Sequence, residues 1–185
     1  MKKLSVRKLH HMGMVAEYMR TRARDYGIDP AYAYIVGLNH DVGYINGRVN
    51  HGMFGADLFS TMGLFQTYVD AIHFHGVSPY KVKDRALPVL TLRECPEVSW
   101  DEIHPDIRNN AFLTLLLEAD MRVNAQGDLV GFDHRIRDIS ERYKDPAVAA
   151  NAKSTVRYVF EWCKRNNISE PPHIIQMRAM IEKEN

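Results

Sequence analysis

Apolar side chains recur every three or four residues along most of the chain, which is the spacing of α-helices that bury one face. No stretch alternates apolar and polar residues for long enough to predict a β-strand. No internal repeat or low-complexity tract divides the sequence. We therefore predict an all-α fold of about seven to nine helices, in which residues 1–185 form a single compact domain.

Capping residues and helix breakers set the ends of the predicted helices. Ser5 is placed to cap a first helix that runs to about Tyr26 and closes at Gly27. Asp29 followed by Pro30 is typical of a helix start, and this second helix should run through IVGLNHD. Further helices are predicted over HGMFGADLF after a cap at Asn50, and over about 64–75, 108–123, 132–143, 146–166 and 172–183.

One long segment, residues 77–107, lacks a helical pattern. It contains Pro79, Pro88, Pro96 and Pro105, and proline removes a backbone donor and interrupts regular structure. An irregular stretch of this length in a compact domain is typical of a lid or a binding loop. We expect this segment to form part of the rim of a pocket.

Composition narrows the classes of function. The chain has 24 Lys and Arg against 23 Asp and Glu, a net charge of +1, which argues against a nucleic-acid polymer as partner. Two cysteines outside any CxxC pair favour reduced thiols and a cytoplasmic location. No apolar run approaches the length that crosses a bilayer, so no membrane partner is expected. The basic first 24 residues indicate a solvated helix face or, as the alternative, a positive rim for an anionic ligand.

Histidine is unusually frequent, with nine copies, and several lie near carboxylates. His40 and Asp41 are adjacent at a predicted helix end, where an imidazole and a carboxylate could bind one cation. His11 shares a helix face with apolar residues, and Asp120 follows a stripe of leucines. A buried carboxylate needs a cation, a metal or a proton, and for Asp120 alone a salt bridge to an arginine is the simpler interpretation.

Two further histidines occupy suggestive positions. His51 begins the glycine-rich segment HGMFGADLF, and His75 follows Val69 and Ile72 on an apolar face. Taken singly, each is more typical of a buried structural histidine or a helix cap than of a ligand. The remaining histidines are assigned to the surface or to loops: His10, His73, His104, His134 and His173.

The order of these residues resembles the HD superfamily of metal-dependent phosphohydrolases, which are all-α proteins. The series reads H in LHHMGMVAEY, HD in GLNHDVG, H in HGMFGADL, H in AIHFH and D in LLLEADM. The resemblance covers about residues 7–123, and the tail DMRVNAQGDLVGFDHRIRDISERY also looks like small HD-domain proteins. It implies an HD-type core over 7–123 with C-terminal helices over 132–183 packed on it. The two additional histidines are similar to the branch that binds two metal ions.

The resemblance also implies a set of ligands. The first metal ion would be bound by His11, His40, Asp41 and Asp120. Asp41, the expected catalytic carboxylate, would bridge to a second ion held by His51 and His75. Imidazole and carboxylate ligands suit one or two divalent ions of Mn, Fe, Mg, Ni or Zn. In the branch that binds two metal ions the motif often reads HDxGK, whereas this chain has Tyr44 at the position of the lysine. The chain also lacks the GYP signature of the HD-GYP phosphodiesterases. Both differences argue against a cyclic dinucleotide as substrate.

The implied activity is hydrolysis of a phosphoester or phosphoanhydride bond in a nucleotide-like small molecule by a metal-activated water. Four basic residues near the ligand segments are candidates for phosphate contact, although a solvated surface charge is the simpler interpretation: Arg48, Lys81, Lys83 and Arg122. A non-catalytic or regulatory module that keeps its metal is the alternative, favoured by Tyr44 and by the lack of an evident proton donor beside His40 and Asp41. A metal-free helical scaffold is a third reading. Substrate identity and assembly into a homo-oligomer are left open by the sequence.

Overall fold

Eight α-helices make up most of the regular structure in residues 3–46, 50–85 and 95–169, the parts of the chain that the computed structural model describes. They are α1 (Val6–Arg22), α2 (Pro30–Asn39), α3 (His51–Thr61), α4 (Gln66–Phe74), α5 (Pro105–Arg108), α6 (Ala111–Asp120), α7 (Phe132–Tyr143) and α8 (Pro146–Arg165). Short 3-10 turns cover Ala23–Tyr26, Val42–Ile45, Pro79–Lys81 and Trp100–Glu102. Within these described ranges, β-type pairing is limited to one isolated bridge between Val123 and Leu129. The all-α prediction is confirmed.

The predicted helix starts at Ser5 and Asp29 are confirmed. The Ser5 side chain accepts a hydrogen bond from a backbone amide of α1, and Asp29 does the same for α2, which satisfies amides that the helix leaves free. The first helix keeps α-helical hydrogen bonding only to Arg22, but it continues as a 3-10 turn to Tyr26 and closes at Gly27, as predicted, with a φ of 68° at that glycine. The side-chain cap predicted at Asn50 is wrong, since Asn50 has a φ of 58° and its side chain caps no amide.

The segment 77–107 is less irregular than its prolines indicate. Its described residues contain two 3-10 turns and the start of the short helix α5, which Pro105 opens as its first residue. Residues 86–94 lie outside the described residues, as do Arg48 and the helix predicted over 172–183. Proline here therefore begins short helical turns as well as interrupting longer ones.

Helix α6 runs through the centre of the larger apolar cluster. Its residues Leu113, Leu115 and Leu116 are fully buried, and they pack in a cluster with residues of α1, α2, α4 and the second half of α8. A smaller cluster holds Phe132 of α7 against Val156 of α8. Met121, which directly follows α6, belongs to the same small cluster, so the α7–α8 pair lies beside the C-terminal end of α6. None of the described helices is long and apolar enough to span a membrane.

Two glycines let backbone segments approach closely beside α3. A Cβ atom at Gly52 would lie 2.6 Å from the carbonyl oxygen of His73 on α4, and one at Gly43 would lie 1.8 Å from the carbonyl oxygen of His51. Real Cβ atoms do not come so close to backbone atoms, so glycine is required at both positions. The N-terminal end of α3 is consequently held against both α4 and the turn that follows Asp41.

Candidate metal centre

Six side chains that the sequence singled out meet at one place, and most of them come from helix ends. His11 lies on α1, while His40 and Asp41 directly follow α2. His51 is the first residue of α3, and His75 directly follows α4. The sixth, Asp120, is the last residue of α6. Helix ends suit this role because the chain changes direction there and can aim a side chain inward.

Asp41 occupies the centre of the cluster, with its two carboxylate oxygens facing different histidines. Its Oδ2 lies 3.1 Å from Nε2 of His40 and 3.8 Å from Nε2 of His11. Its Oδ1 lies 3.2 Å from Nε2 of His51 and 3.5 Å from Nε2 of His75. The Nε2 atoms of His51 and His75 are themselves 3.0 Å apart. One carboxylate therefore joins two pairs of imidazoles.

Asp120 closes the side of the cluster that contains His11. Its Oδ1 lies 3.1 Å from Nε2 of His11 and 3.3 Å from a guanidinium nitrogen of Arg135. The Asp120 side chain is 24% exposed, so it borders the open side of the cluster. Asp120 therefore forms a salt bridge to an arginine, as the sequence favoured for this residue taken alone, and it contacts His11 as well.

Three of the four histidines are oriented by backbone carbonyls through their other ring nitrogen. The acceptors of Nδ1 are the carbonyl oxygens of Asn124 for His11 (2.9 Å), Gly37 for His40 (2.7 Å) and Ile72 for His75 (2.6 Å). A carbonyl oxygen only accepts, so Nδ1 carries the proton in each ring. In the neutral form of each ring, Nε2 then presents a lone pair to the cluster, which is the arrangement of metal-binding histidines.

Burial and the neighbouring charges shift the pKa values of the clustered groups. Burial disfavours the ionised form of Asp41, but the surrounding rings, His40 first, hold the pKa of its carboxyl well below the usual range. Burial would lower the pKa of His40, but the charge of Asp41 outweighs it and the pKa is raised. At His75 burial dominates and the pKa is lowered. An anionic Asp41 beside a neutral His75 is suited to bind a cation.

The donor atoms fit a divalent metal ion. Two groups, one of His11, His40 and Asp120 and the other of His40, Asp41 and His75, have donor atoms that all lie within 4.8 Å of one another. Nε2 of His40 is buried and makes no well-angled hydrogen bond to any described residue, a cost that a coordinated cation would remove. Imidazole nitrogen with carboxylate oxygen is a common ligand set for Zn²⁺ and similar ions.

Lys8 is a site residue that the sequence indicated only as one member of the basic N-terminal segment. Its Nζ donates to Oδ2 of Asp41 at 2.6 Å and lies 4.1 Å from the ring centroid of Tyr44. The Tyr44 ring in turn stacks on His51, with centroids 4.1 Å apart. The expectation that no proton donor lies beside the His40–Asp41 pair is therefore wrong. Lys8 precedes His11 by three residues on the same helix, and this spacing is the signal that could have found it.

A cleft of about 570 Å³ opens from the cluster. Its walls come from the start of α1, the end of α6 and the facing sides of α7 and α8. The basic residues that line it are Arg7, Lys8, Arg135 and Arg142. Its largely uncharged wall contains Ile139, Tyr143, Val148, Asn151, Ala152 and Thr155. The expected rim over 77–107 is wrong for the described residues of that segment, because the α7–α8 pair forms the wall in its place.

The described basic residues that the sequence offered as candidates for phosphate contact lie outside the cleft. Lys83 forms an ion pair with Glu102, and Arg122 is buried with its guanidinium 5.5 Å from the ring centroid of Phe132. Neither Lys81, Lys83 nor Arg122 is among the residues that line the cleft. Proximity in sequence to the ligand segments therefore did not predict proximity in space. His10 and His134 are exposed, and the His104 side chain caps α5, so these three stand apart from the cluster.

Comparison with known proteins identifies the part of the chain that carries this arrangement. Residues 9–90 match the HD domain family, a range that contains five of the six clustered residues and ends before Asp120. Neither the search of curated proteins nor that of solved structures found a match. The chain is therefore similar to the HD domain family over residues 9–90, which is somewhat less than half of its length.

Proposed function

We propose that this protein hydrolyses a phosphoester or phosphoanhydride bond in a nucleotide-like small molecule, using one or two divalent metal ions. The observation that carries the proposal is the position of Asp41, whose two oxygens face two histidine pairs at the floor of a cleft with cationic residues. A buried carboxylate with histidines on both sides suits a ligand shared between two cations.

The proposed ligands divide into two sets that share one residue. The first ion would be held by His11, His40, Asp41 and Asp120, and the second by Asp41, His51 and His75. When bound, the ions would supply a water of lowered pKa and would neutralise charge that develops on the phosphoryl group. The chain's own residues keep Asp41 ionised and present the histidine lone pairs, and Asp41 would be the carboxylate next to the reacting atoms.

The cleft supports a substrate with an anionic end and an uncharged end. Lys8, Arg135 and Arg142 can bind phosphate oxygens near the cluster, since charge-assisted hydrogen bonds to phosphate are strong. The opposite wall offers methyl groups and a hydroxyl, from Val148, Ala152 and Thr155, against which an organic group can lie. The volume of about 570 Å³ is within the range of small-molecule sites and suits a nucleotide.

Metal titration combined with a phosphate-release assay tests the proposal. We expect wild-type protein to bind two Mn²⁺ per chain in calorimetry and to release phosphate from members of a nucleotide panel. Replacing both His51 and His75 with Ala should leave one ion, whereas Asp41→Ala should weaken both and abolish turnover. His134→Ala, an exposed histidine away from the cluster, is the matched control and should keep both ions.

The result can also reject the proposal in two ways. Folded wild-type protein that binds no divalent transition metal would overturn it entirely. Metal binding without turnover of any nucleotide or simple phosphoester would favour the alternative, a non-catalytic or regulatory ligand-binding module. Full metal content in the His51 and His75 double variant would reject the second ion alone.

A further inference from the structure

The backbone turn that follows His75 is tied to helix α8 by one side chain. Oδ1 of Asn151 accepts a hydrogen bond from the backbone amide of Ser78 at 3.0 Å. Nδ2 of the same residue donates to the carbonyl oxygen of Gly76 at 3.4 Å. The carboxamide of Asn151 therefore spans the turn and satisfies a donor and an acceptor that helix α4 no longer covers.

A second contact joins the same two segments without involving the backbone of the turn. The hydroxyl groups of Ser78 and Ser154 are 2.6 Å apart, and both residues are buried. Ser154 lies on α8 three residues after Asn151, so both residues occupy the same face of the helix. The chain thus offers two polar contacts of different kinds at one junction, which can be removed separately.

The placement of His75 depends on this turn. His75 lies just beyond the last residue of α4, and its ring is fixed in rotation by the hydrogen bond from Nδ1 to Ile72. Its backbone, however, continues into Gly76, where no α-helical hydrogen bond pattern fixes the path of the chain. Within the turn the Val77 amide donates to the carbonyl oxygen of Phe74 at 3.0 Å, and the hydrogen bond from Asn151 to Gly76 is the side-chain contact that ties the residue after His75 to another helix.

We propose that Asn151 is a positioning residue for the second metal ion, because it holds the turn that presents His75 to Asp41 and His51. This inference rests on the proposed function and extends it to α8, which lies outside the residues that match the HD domain. Asn151 also lines the cleft, so the same residue borders the substrate. The second-ion side of the centre would then depend on a helix that contributes no ligand.

Hydrogen exchange and metal titration test this role on the whole 185-residue chain. In metal-free Asn151→Ala, the Ser78 amide should exchange roughly tenfold faster, because its acceptor is lost. In Mn²⁺ titration, the second ion should bind roughly 10–100-fold more weakly, as when other groups that orient a ligand are removed, while the first ion binds as in wild type. Ser154→Ala is the matched control, since it removes the neighbouring contact and should leave both ions bound normally.

A second variant keeps the test valid if Asn151→Ala does not fold. Asn151→Asp retains the acceptor for Ser78 but loses the donor to Gly76, and its affinity for the second ion should be intermediate. Normal affinity for both ions in the Asn151 variants, or an equal loss in Ser154→Ala, would overturn the inference while leaving the proposed function intact. Wild-type protein with no second ion would overturn the two-ion site and this inference together.

Discussion

Two carboxylates on α6, only two residues apart, have different surroundings. Asp120 borders the cleft, whereas Glu118 is fully buried and accepts hydrogen bonds from the hydroxyls of Tyr18, at 2.5 Å, and Tyr26. The leucine stripe predicted burial at Asp120 and gave no role to Glu118. The spacing of apolar residues could not distinguish the burial of the two carboxylates, because α6 is surrounded on nearly all sides. The position relative to the helix end therefore decides which carboxylate reaches solvent.

The Tyr26–Glu118 contact predicts a stability change at high pH. Burial, followed by the charge of Glu118, raises the pKa of Tyr26 well above its usual value, which is about 10 in the unfolded chain. Above pH 10 the unfolded state loses this proton and the folded state keeps it, so stability falls by up to about 1.4 kcal/mol per pH unit. Tyr26→Phe should lower the free energy of unfolding by about 1–2 kcal/mol at pH 8, because the hydrogen bond to Glu118 is lost. The same variant should show a less steep decrease of this free energy above pH 10.

Chemical denaturation at pH 8, 10 and 11 measures both quantities for Tyr26→Phe and wild type. An unchanged slope between pH 10 and 11 would contradict the assigned shift, even if the variant is less stable at pH 8.

At the scale of elements, helix starts were predictable and the packing between helices was not. Ser5 and Asp29 cap their helices through contacts only two or three residues away, so the local sequence contains the whole signal. The hydrogen bond from Nδ1 of His11 to Asn124 joins residues more than a hundred positions apart. Contacts of that kind, like those of Asn151, depend on tertiary packing that a single sequence does not reveal.

The close contact between α3 and α4 predicts an intolerance of Gly52 to substitution. In Gly52→Ala the new methyl group would meet the His73 and Ile72 carbonyl oxygens, which should push α3 away from α4 and cost about 1–3 kcal/mol. Because His51 and His75 lie on these two segments, metal affinity should fall as well. Thermal unfolding and Mn²⁺ titration measure the two effects.

The control for this prediction is Gly13→Ala on α1. Apart from its chain neighbours and the backbone of its own helix, nothing lies within 4 Å of a Cβ at Gly13, so alanine should stabilise the helix by about 0.5–1 kcal/mol. If the free energy of unfolding of Gly52→Ala were as high as that of Gly13→Ala, the predicted clash between α3 and α4 would be contradicted.

For the whole molecule, the distribution of charge matters more than its sum. A net charge of +1 gives no indication of an anionic ligand, yet four basic residues from α1 and α7 line the same cleft. The sequence offered a positive rim in the N-terminal segment as the less favoured alternative, and Arg7 and Lys8 do line the cleft. That residues 1–185 form one domain stays a prediction, supported by the contacts of α8 with both apolar clusters.

This concentration of charge predicts a role for Lys8 in attracting substrate. Lys8→Gln should raise KM for a nucleotide substrate by roughly tenfold and weaken the dependence of kcat/KM on ionic strength. Steady-state kinetics at low and high salt measure both effects. Lys83→Gln, which removes an exposed charge outside the cleft, should match wild type, and an equal effect of the two variants would contradict the proposed role.

The separation of the clustered residues along the chain has a thermodynamic consequence. His11 and Asp120 touch in the folded protein, but more than a hundred residues separate them in sequence, and the other donors lie between. An unfolded chain cannot present these groups together, so a cation would bind the native state in strong preference to the denatured ensemble. Every ion held there would add its binding free energy to the stability of the entire fold, which links metal supply to the lifetime of the native protein.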